Sequence, residues 1–424
     1  DARRSAARAC QGKVSDAADA ISLSRPIYDR LKTIDAAKLD TVARLLLTRT
    51  LAAFDRAGVS RDEATRAKVA ALKAEITALG LKFDANIADS RKTVTAEAAE
   101  LAGLPADYVA AHQPGANGKI TISTDYPDYV PVMSYARSEP LRKRLLEAYL
   151  TRGYPVNEDV LRQLFTKRDE LAKLLGRPDF ASLALEDKMV DTPAKARAFL
   201  DDIAAAADPA AKRDYALMLA RLKQEQPAAT AVPLWSTGYV SQQIRKERYD
   251  LDPQEVRRYF AYDNVRDGIL QLTRDLFGVE IRRWQTATWD PSVEAYEMLD
   301  GGKLIGRFYF DTHPRPGKYS HANVVPIRMG IAGRVIPEAA LVTNFPAGDH
   351  KTGLMEHRDV ETFLHEYGHL IHVLFSGKQA WEQASMGNIE WDFIEAPSQM
   401  LENWVWNYDT LARFAVDEKG RKIP

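Results

Sequence analysis

The chain has 424 residues, and its 58 Lys plus Arg nearly balance its 59 Asp plus Glu. No net charge therefore directs it to nucleic acid or to an anionic membrane surface. No apolar run approaches the roughly 18 residues that span a bilayer, and the single cysteine, Cys10, excludes an internal disulfide framework.

The first residues after Asp1 are charged and helical, without the apolar core of a signal peptide. We therefore expect a cytoplasmic protein, or a periplasmic one if a signal peptide has been removed.

The first half of the sequence predicts a series of alanine-rich helices. One ends at Gly58, and Ser60 with Glu63 predicts a capping box for the next. A further helix carries a basic cluster, residues 142–144, that we expect to face solvent. Apolar residues at helical spacing give these ranges: 40–57, 60–79, 139–152, 160–175, 193–206 and 210–224.

Strand signals are few, and they lie mostly in the second half. Residues 119–123 alternate, residues 295–299 and 304–310 form a hairpin across Gly301 and Gly302, and residues 340–342 form a further strand. A Pro/Ala/Thr-bearing stretch at 224–235 indicates a boundary between a helical region, 1–225, and a second region, 226–424. The predicted class is mainly α with a small antiparallel sheet.

The strongest motif is a pentapeptide inside an apolar helical run, residues 360–375. It reads His365-Glu366-Tyr367-Gly368-His369. Residues four apart share a helix face, so both imidazoles can bind one metal ion. Glu366 lies about 100° further round, where a base beside the metal should be.

The alternative is a pair of buried core histidines. Seven of the eight histidines lie between His313 and His372, however, and one chance pair does not explain that clustering.

A catalytic zinc ion usually takes three protein ligands. A third histidine six residues after His369 is excluded, because position 375 is Phe375. A downstream carboxylate is then expected, and Glu395 is favoured because it leads into an apolar helix that can pack on the first. Its alternative is an exposed carboxylate at a helix start. The full set of candidates is Glu382, Glu390, Asp392, Glu395 and Glu402.

Other residues are candidates for supporting roles. Gln399 and Glu402 could accept hydrogen bonds from His365 or His369 and orient them. His372 shares the face of His365, and we interpret it as a neighbour of the site and not as a fourth ligand, which would close it. Outside that helix, His350 and His357 are either surface residues or substrate contacts.

Two motifs together resemble the thimet oligopeptidase family of zinc metallopeptidases, family M3. They are residues 365–372 and residues 392–399, Asp-Phe-Ile-Glu-Ala-Pro-Ser-Gln. Similar stretches lie at 129–133, 188–191, 245–251, 308–311 and 316–318, so the resemblance spans nearly the whole chain. It favours the thimet oligopeptidase and oligopeptidase A branch over the dipeptidyl carboxypeptidases.

The resemblance implies one zinc ion per chain on His365, His369 and Glu395, with Glu366 as the base that activates a zinc-bound water. It also implies hydrolysis of internal bonds in short peptides. The implied fold is an elongated, two-domain helical peptidase with a deep channel and a small antiparallel sheet beside the zinc helix. An edge strand at 340–344 would line the substrate by backbone pairing, and the candidate substrate contacts are Ala340, Val342, Asn344 and His321.

Family members continue well beyond the third ligand and supply tyrosines and a histidine that stabilise the oxyanion. This chain ends at Pro424 and begins inside the usual first domain. We therefore expect it to lack N- and C-terminal parts: either it is a fragment, or the remainder is a separate piece of a nicked protein that completes the site.

Short peptides are the expected partners, and nucleic acid and membranes are not. The alternatives are an incomplete fragment that binds zinc and peptide without catalysis, a dipeptidyl carboxypeptidase, and a helical scaffold without a metal.

Overall fold

The computed structural model describes residues 2–382 and 389–424. The chain divides into two compact units, each built from two stretches of sequence: residues 1–92 with 148–207, and residues 93–147 with 208–424. The boundary between residues 225 and 226 stays a prediction.

Helices dominate, which confirms the mainly α class. In the described part of the chain they are α1 (Ala2–Ser22), α2 (Arg25–Lys32), α3 (Thr41–Ala57), α4 (Glu63–Asp89), α5 (Ala106–Ala111), α6 (Tyr126–Tyr135), α7 (Glu139–Leu150), α8 (Val156–Leu174), α9 (Phe180–Leu185), α10 (Pro193–Glu225), α11 (Thr237–Tyr249), α12 (Pro253–Val256), α13 (Tyr262–Phe277), α14 (His357–Ser376), α15 (Ala396–Glu402) and α16 (Tyr408–Leu411). No helix among these residues is both long enough and apolar enough to cross a membrane.

The first unit contains α1 to α4, α8 and α9, and two of its helix ends test the sequence patterns. Helix α3 ends at Gly58, whose φ of 97° is the left-handed conformation of a C-terminal cap, as predicted. The predicted capping box at Ser60 is wrong. Asp62 caps α4 instead, because its carboxylate accepts hydrogen bonds from the Thr65 backbone at 2.9 Å and hydroxyl at 2.6 Å.

Helix α10 is continuous from residue 193 to residue 225, although two helices were predicted there. Pro209 lies inside it. Proline has a helical φ and removes a single backbone donor, so a long helix can include it when both flanking segments are strongly helical.

The basic cluster on α7 is only partly exposed. Lys143 and Arg144 face solvent as predicted. The prediction is wrong for Arg142, which is 2% exposed. Its guanidinium donates to the carbonyl oxygens of Ala136 at 2.5 Å and Trp235 at 3.0 Å, so the buried charge is hydrogen-bonded.

The described residues of the second unit form two sheets. Their strands are β1 (Thr93–Ala96), β2 (Ile120–Ser123), β3 (Glu280–Arg283), β4 (Glu294–Asp300), β5 (Lys303–Asp311), β6 (Asn323–Arg328) and β7 (Glu338–Val342). Strands β1 and β2 pair with each other, and the other five follow the order β3-β4-β5-β7-β6. The predicted hairpin is confirmed as β4 and β5, joined at Gly301 and Gly302 with φ values of 54° and 77°.

The larger sheet differs from the expected antiparallel one in a single pair. Strands β5 and β7 are parallel, whereas the other three pairings are antiparallel. The predicted edge strand at 340–344 is therefore wrong, because β7 is bonded on both sides. Among the described strands, the edges of this sheet are β3 and β6. Strand β6 was not predicted from the sequence, because most of its residues are exposed.

Helix α14 packs on this sheet through its apolar face. Phe363, Tyr367 and Leu370 are buried in one core with Phe310 and Leu341 of the sheet. Each such side chain contributes roughly 1.5–3 kcal/mol on burial. The core therefore fixes both the position and the rotation of the helix that carries the histidine motif.

Candidate metal centre

The start of α14 is held by a capping box. Asp359 accepts a hydrogen bond from the backbone N–H of Glu356 at 2.8 Å, and the Glu356 carboxylate accepts from the Tyr135 hydroxyl at 2.7 Å. The helix therefore has a fixed beginning two turns before His365.

The three residues predicted as ligands lie close together. One ligand atom each from His365, His369 and Glu395 lies within 4.8 Å of the other two. The Oε2 atom of Glu395 is 3.2 Å from Nε2 of His365 and 3.1 Å from Nε2 of His369.

These distances fit a tetrahedral metal ion. Zinc bonds of about 2.0–2.1 Å place neighbouring ligand atoms about 3.3 Å apart, close to the two nitrogen–oxygen separations observed here. Burial lowers the pKa of His369, which favours the neutral imidazole that binds metals. The donor set of two imidazoles and one carboxylate leaves a fourth position open, as in a catalytic zinc site.

Glu395 is placed by α15, which begins at the next residue. Pro397 lies in the first turn, where its missing N–H costs nothing. The Ser398 hydroxyl donates to Oε2 of Glu395 at 2.8 Å and so fixes the carboxylate that faces the imidazoles.

Gly368 explains why α14 and α15 can come so close. A Cβ atom there would lie 2.6 Å from the Cα of Ser398 and 2.8 Å from the carbonyl oxygen of Pro397. Neither Gly368 nor Ser398 was a candidate from the sequence, and the glycine between the two histidines was the only available signal.

The two candidate orienting residues, Glu402 and Gln399, differ in their contacts with the imidazoles. Oε1 of Glu402 lies 2.5 Å from Nδ1 of His365, on the ring side away from Glu395. Gln399 is exposed, and its side chain makes no hydrogen bond to either imidazole in the part of the chain described here. His372 is half-buried on α14.

Glu366 lies beside the cluster and is 7% exposed. Burial raises the pKa of its carboxyl group to about 7, with the Glu395 charge adding to the rise and His365 opposing it. A carboxyl group with a pKa near neutrality can both accept and donate a proton.

The remaining candidates lie elsewhere. Among residues 2–382 and 389–424, Glu382, Glu390 and Asp392 are not part of the three-residue cluster. Nε2 of His350 lies 2.7 Å from the carbonyl oxygen of Val416, and Nε2 of His357 lies 3.2 Å from that of Val405. Both histidine side chains therefore contact backbone carbonyl oxygens within residues 405–416.

A cleft of about 510 Å³ lies beside the first turns of α14. His321 and Asn344 line it, together with Tyr126 of α6 and Thr362, one turn before His365. Ala340 and Val342 are not among its lining residues, and Ala340 is only 4% exposed. Two of the four candidate substrate contacts are thus brought to one cleft.

Comparison with known proteins decides the family. A family model described as peptidase family M3 matches residues 132–424. The chain belongs to peptidase family M3. The matched region contains the two histidines, Glu366, Glu395 and Glu402.

Curated relatives of this M3 chain are longer than it is. It is 31% identical to organellar oligopeptidase A of Arabidopsis thaliana over 95% of this chain and 55% of that protein. It is 29% identical to oligopeptidase A of Escherichia coli over 92% and 60%, and 30% identical to saccharolysin of Saccharomyces cerevisiae over 88% and 56%. The chain thus spans a little over half the length of these relatives.

Proposed function

We propose that this M3 chain carries the zinc site of an oligopeptidase that hydrolyses internal bonds of short peptides. The observation that supports this most directly is the convergence of His365, His369 and Glu395 beside a buried Glu366. Zinc is the best match to two imidazole nitrogens and one carboxylate oxygen in a tetrahedral arrangement.

In this proposal His365, His369 and Glu395 would hold one zinc ion, which would act as a Lewis acid and lower the pKa of a water. Glu366 removes the proton from the attacking water and later delivers it to the leaving amine. Glu402 keeps the His365 ring in the orientation that presents Nε2 to the metal.

The peptide would pair with an exposed sheet edge, and that edge is β6. Its residues 325–328 are exposed, and within residues 2–382 and 389–424 its one strand partner is β7. Backbone pairing at an edge binds many sequences, because it recognises the main chain. The cleft lined by His321 and Asn344 would take adjacent substrate residues.

Two alternatives are tested by the same experiment. A chain that binds zinc and peptide without catalysis is one, since this chain covers only part of the length of its relatives. A dipeptidyl carboxypeptidase is the other, but the relatives compared above are named oligopeptidase A and saccharolysin. We retain the cytoplasm as the proposed location, in keeping with a 30% identical relative named probable cytosolic oligopeptidase A.

The test compares the wild-type chain with Glu366→Gln, both loaded with zinc. A quenched peptide of about nine residues should be cut at an internal bond by the wild type, with turnover at least about 100-fold slower in the variant. Zinc content should stay at one ion per chain in both. Glu280→Gln, an exposed carboxylate on β3, is the matched control.

Mass spectrometry of the products separates the candidates. Internal fragments support the oligopeptidase, successive C-terminal dipeptides support the carboxypeptidase, and binding without cleavage supports the non-catalytic chain. Unchanged turnover in Glu366→Gln would contradict the role of Glu366 as the base.

A further inference from the structure

A buried lysine lies where the two parallel strands of the large sheet end. The Lys318 side chain is 3% exposed. Its Nζ donates to the carbonyl oxygens of Asp311 at 2.7 Å, His313 at 2.7 Å and Thr343 at 2.5 Å. An ammonium group has three donors, so all three are used on backbone oxygens.

The negative partner of this ammonium is the Asp311 carboxylate, with Oδ1 at 3.0 Å. That carboxylate also accepts from Arg315 at 2.5 and 2.8 Å and from the Trp289 indole at 2.9 Å. Burial alone would raise the pKa of Asp311, but these bonds outweigh it and lower the pKa to about 2. Both charges are therefore paired and hydrogen-bonded, which makes the burial of Lys318 tolerable.

The atoms that Lys318 joins come from separate parts of the sheet. Asp311 is the last residue of β5, and Thr343 directly follows β7. His313 lies in the segment that leads from β5 towards β6. One ammonium group thus fastens that segment to the end of β7.

Asn344, which follows Thr343, joins the end of β7 to residues that line the cleft. The Asn344 side chain donates to the carbonyl oxygens of Tyr319 at 3.0 Å and His321 at 3.2 Å. The His321 ring then packs on Tyr126, with 4.2 Å between ring centroids. Segment 318–321 is therefore clamped to residues 343–344 at both of its ends.

This clamp forms one wall of the 510 Å³ cleft, since Ser320, His321, Thr343 and Asn344 all line it. We propose that Lys318 is a positioning residue for peptide binding, which holds this wall in place without touching the peptide. The inference rests on the proposed function, because the ligand of the cleft is taken to be the substrate. Without the ammonium group, the carbonyl oxygens of His313 and Thr343 would lose their hydrogen-bond donor, whereas that of Asp311 would keep the Thr343 backbone N–H at 3.0 Å. The segment that carries His313 would then be held less firmly against the end of β7.

Lys318→Met tests the proposal, because it keeps the aliphatic stem and removes the donors. With zinc-loaded protein and a quenched nonapeptide, we expect KM to rise about tenfold while kcat stays within about twofold, the pattern of lost ground-state positioning. Zinc content should be unchanged. Lys303→Met is the matched control, since Lys303 is an exposed lysine at the other end of β5.

Backbone hydrogen exchange supplies a readout that does not need activity. Amides at 319–322 and 343–345 should exchange about tenfold faster or more in Lys318→Met, whereas those of α14 should not change. Unchanged KM and unchanged exchange would overturn the proposal. Loss of zinc, or faster exchange throughout α14, would also overturn it, because Lys318 would then hold the fold and not the cleft wall.

The two proposals can fail separately. If the wild-type chain does not cut the peptide, the proposed function fails, and binding of a fluorescently labelled peptide replaces KM as the measure. Faster exchange at 319–322 with weaker peptide binding would still support the role of Lys318. Equal binding by variant and wild type would overturn it.

Discussion

Nδ1 of His365 lies 2.5 Å from Oε1 of Glu402, on the opposite side of the ring from the nitrogen that faces Glu395. A proton shared on that side fixes the tautomer and leaves Nε2 free to bind a metal. Helix α15 thus has a candidate ligand immediately before it and a candidate orienting residue at its end.

Replacing Glu402 with Gln should weaken zinc binding without removing a ligand. The loss of a carboxylate behind a metal-binding imidazole costs about 10- to 100-fold in metal affinity. Competition with a zinc chelator measures this, with Glu280→Gln as the control. Equal affinities in the two variants would contradict an orienting role for Glu402.

Gly368→Ala should force α14 and α15 apart. The new Cβ would meet backbone atoms of Pro397 and Ser398 at 2.8 and 2.6 Å, and these cannot move without moving Glu395. We expect a loss of about 1–3 kcal/mol in the free energy of unfolding, together with weaker zinc binding.

Gly80→Ala is the control for that variant. Gly80 lies within α4, and a Cβ there has no atom within 4 Å. The substitution should stabilise the chain by up to about 1 kcal/mol through helix propensity. Denaturant unfolding of both variants checks the pair, and equal effects would mean that the close contact at Gly368 has no cost.

Arg142→Lys should destabilise the chain although the charge is kept. The lysine cannot reproduce the bonds to Ala136 and Trp235 or the stacking of the guanidinium on Tyr239, 4.3 Å from its ring centroid. Buried carbonyl groups would be left unpaired, at a cost of about 2–4 kcal/mol. The exposed Arg144→Lys should change the free energy of unfolding by less than about 0.5 kcal/mol. Similar losses in the free energy of unfolding for the two variants would contradict the contribution of the buried Arg142 hydrogen bonds.

Asp311 should make the stability depend on acid pH. Its pKa is lowered from 3.8 to about 2 in the folded chain. The ionised carboxylate therefore contributes stability above about pH 4, and this is lost as the pH falls towards 2. The contribution is on the order of 2 kcal/mol. Denaturant unfolding between about pH 5 and pH 2.5 should show a steeper decline for the wild type than for Asp311→Asn. Parallel curves would contradict the ionised pair with Lys318 and Arg315.

Local patterns predicted much of the fold. The hairpin at Gly301 and Gly302 is fixed by two positive φ angles, and the end of α3 by Gly58. Both depend on a few adjacent residues. The prediction of two helices at α10 was wrong, because the strongly helical segments on both sides of Pro209 continue through it. The burial of Arg142 depends on a more distant part of the chain, since its guanidinium donates to the Trp235 carbonyl oxygen.

The sequence by itself determined the two imidazoles and the adjacent carboxylate of the candidate site, because a spacing of four residues on a helix is a local property. Only the tertiary structure decided which of five carboxylates faces Nε2 of both histidines, since this depends on how α15 packs against Gly368. It also decided that β6, and not β7, is an edge strand, because β7 lies between β5 and β6 through a parallel pairing that no local pattern reveals.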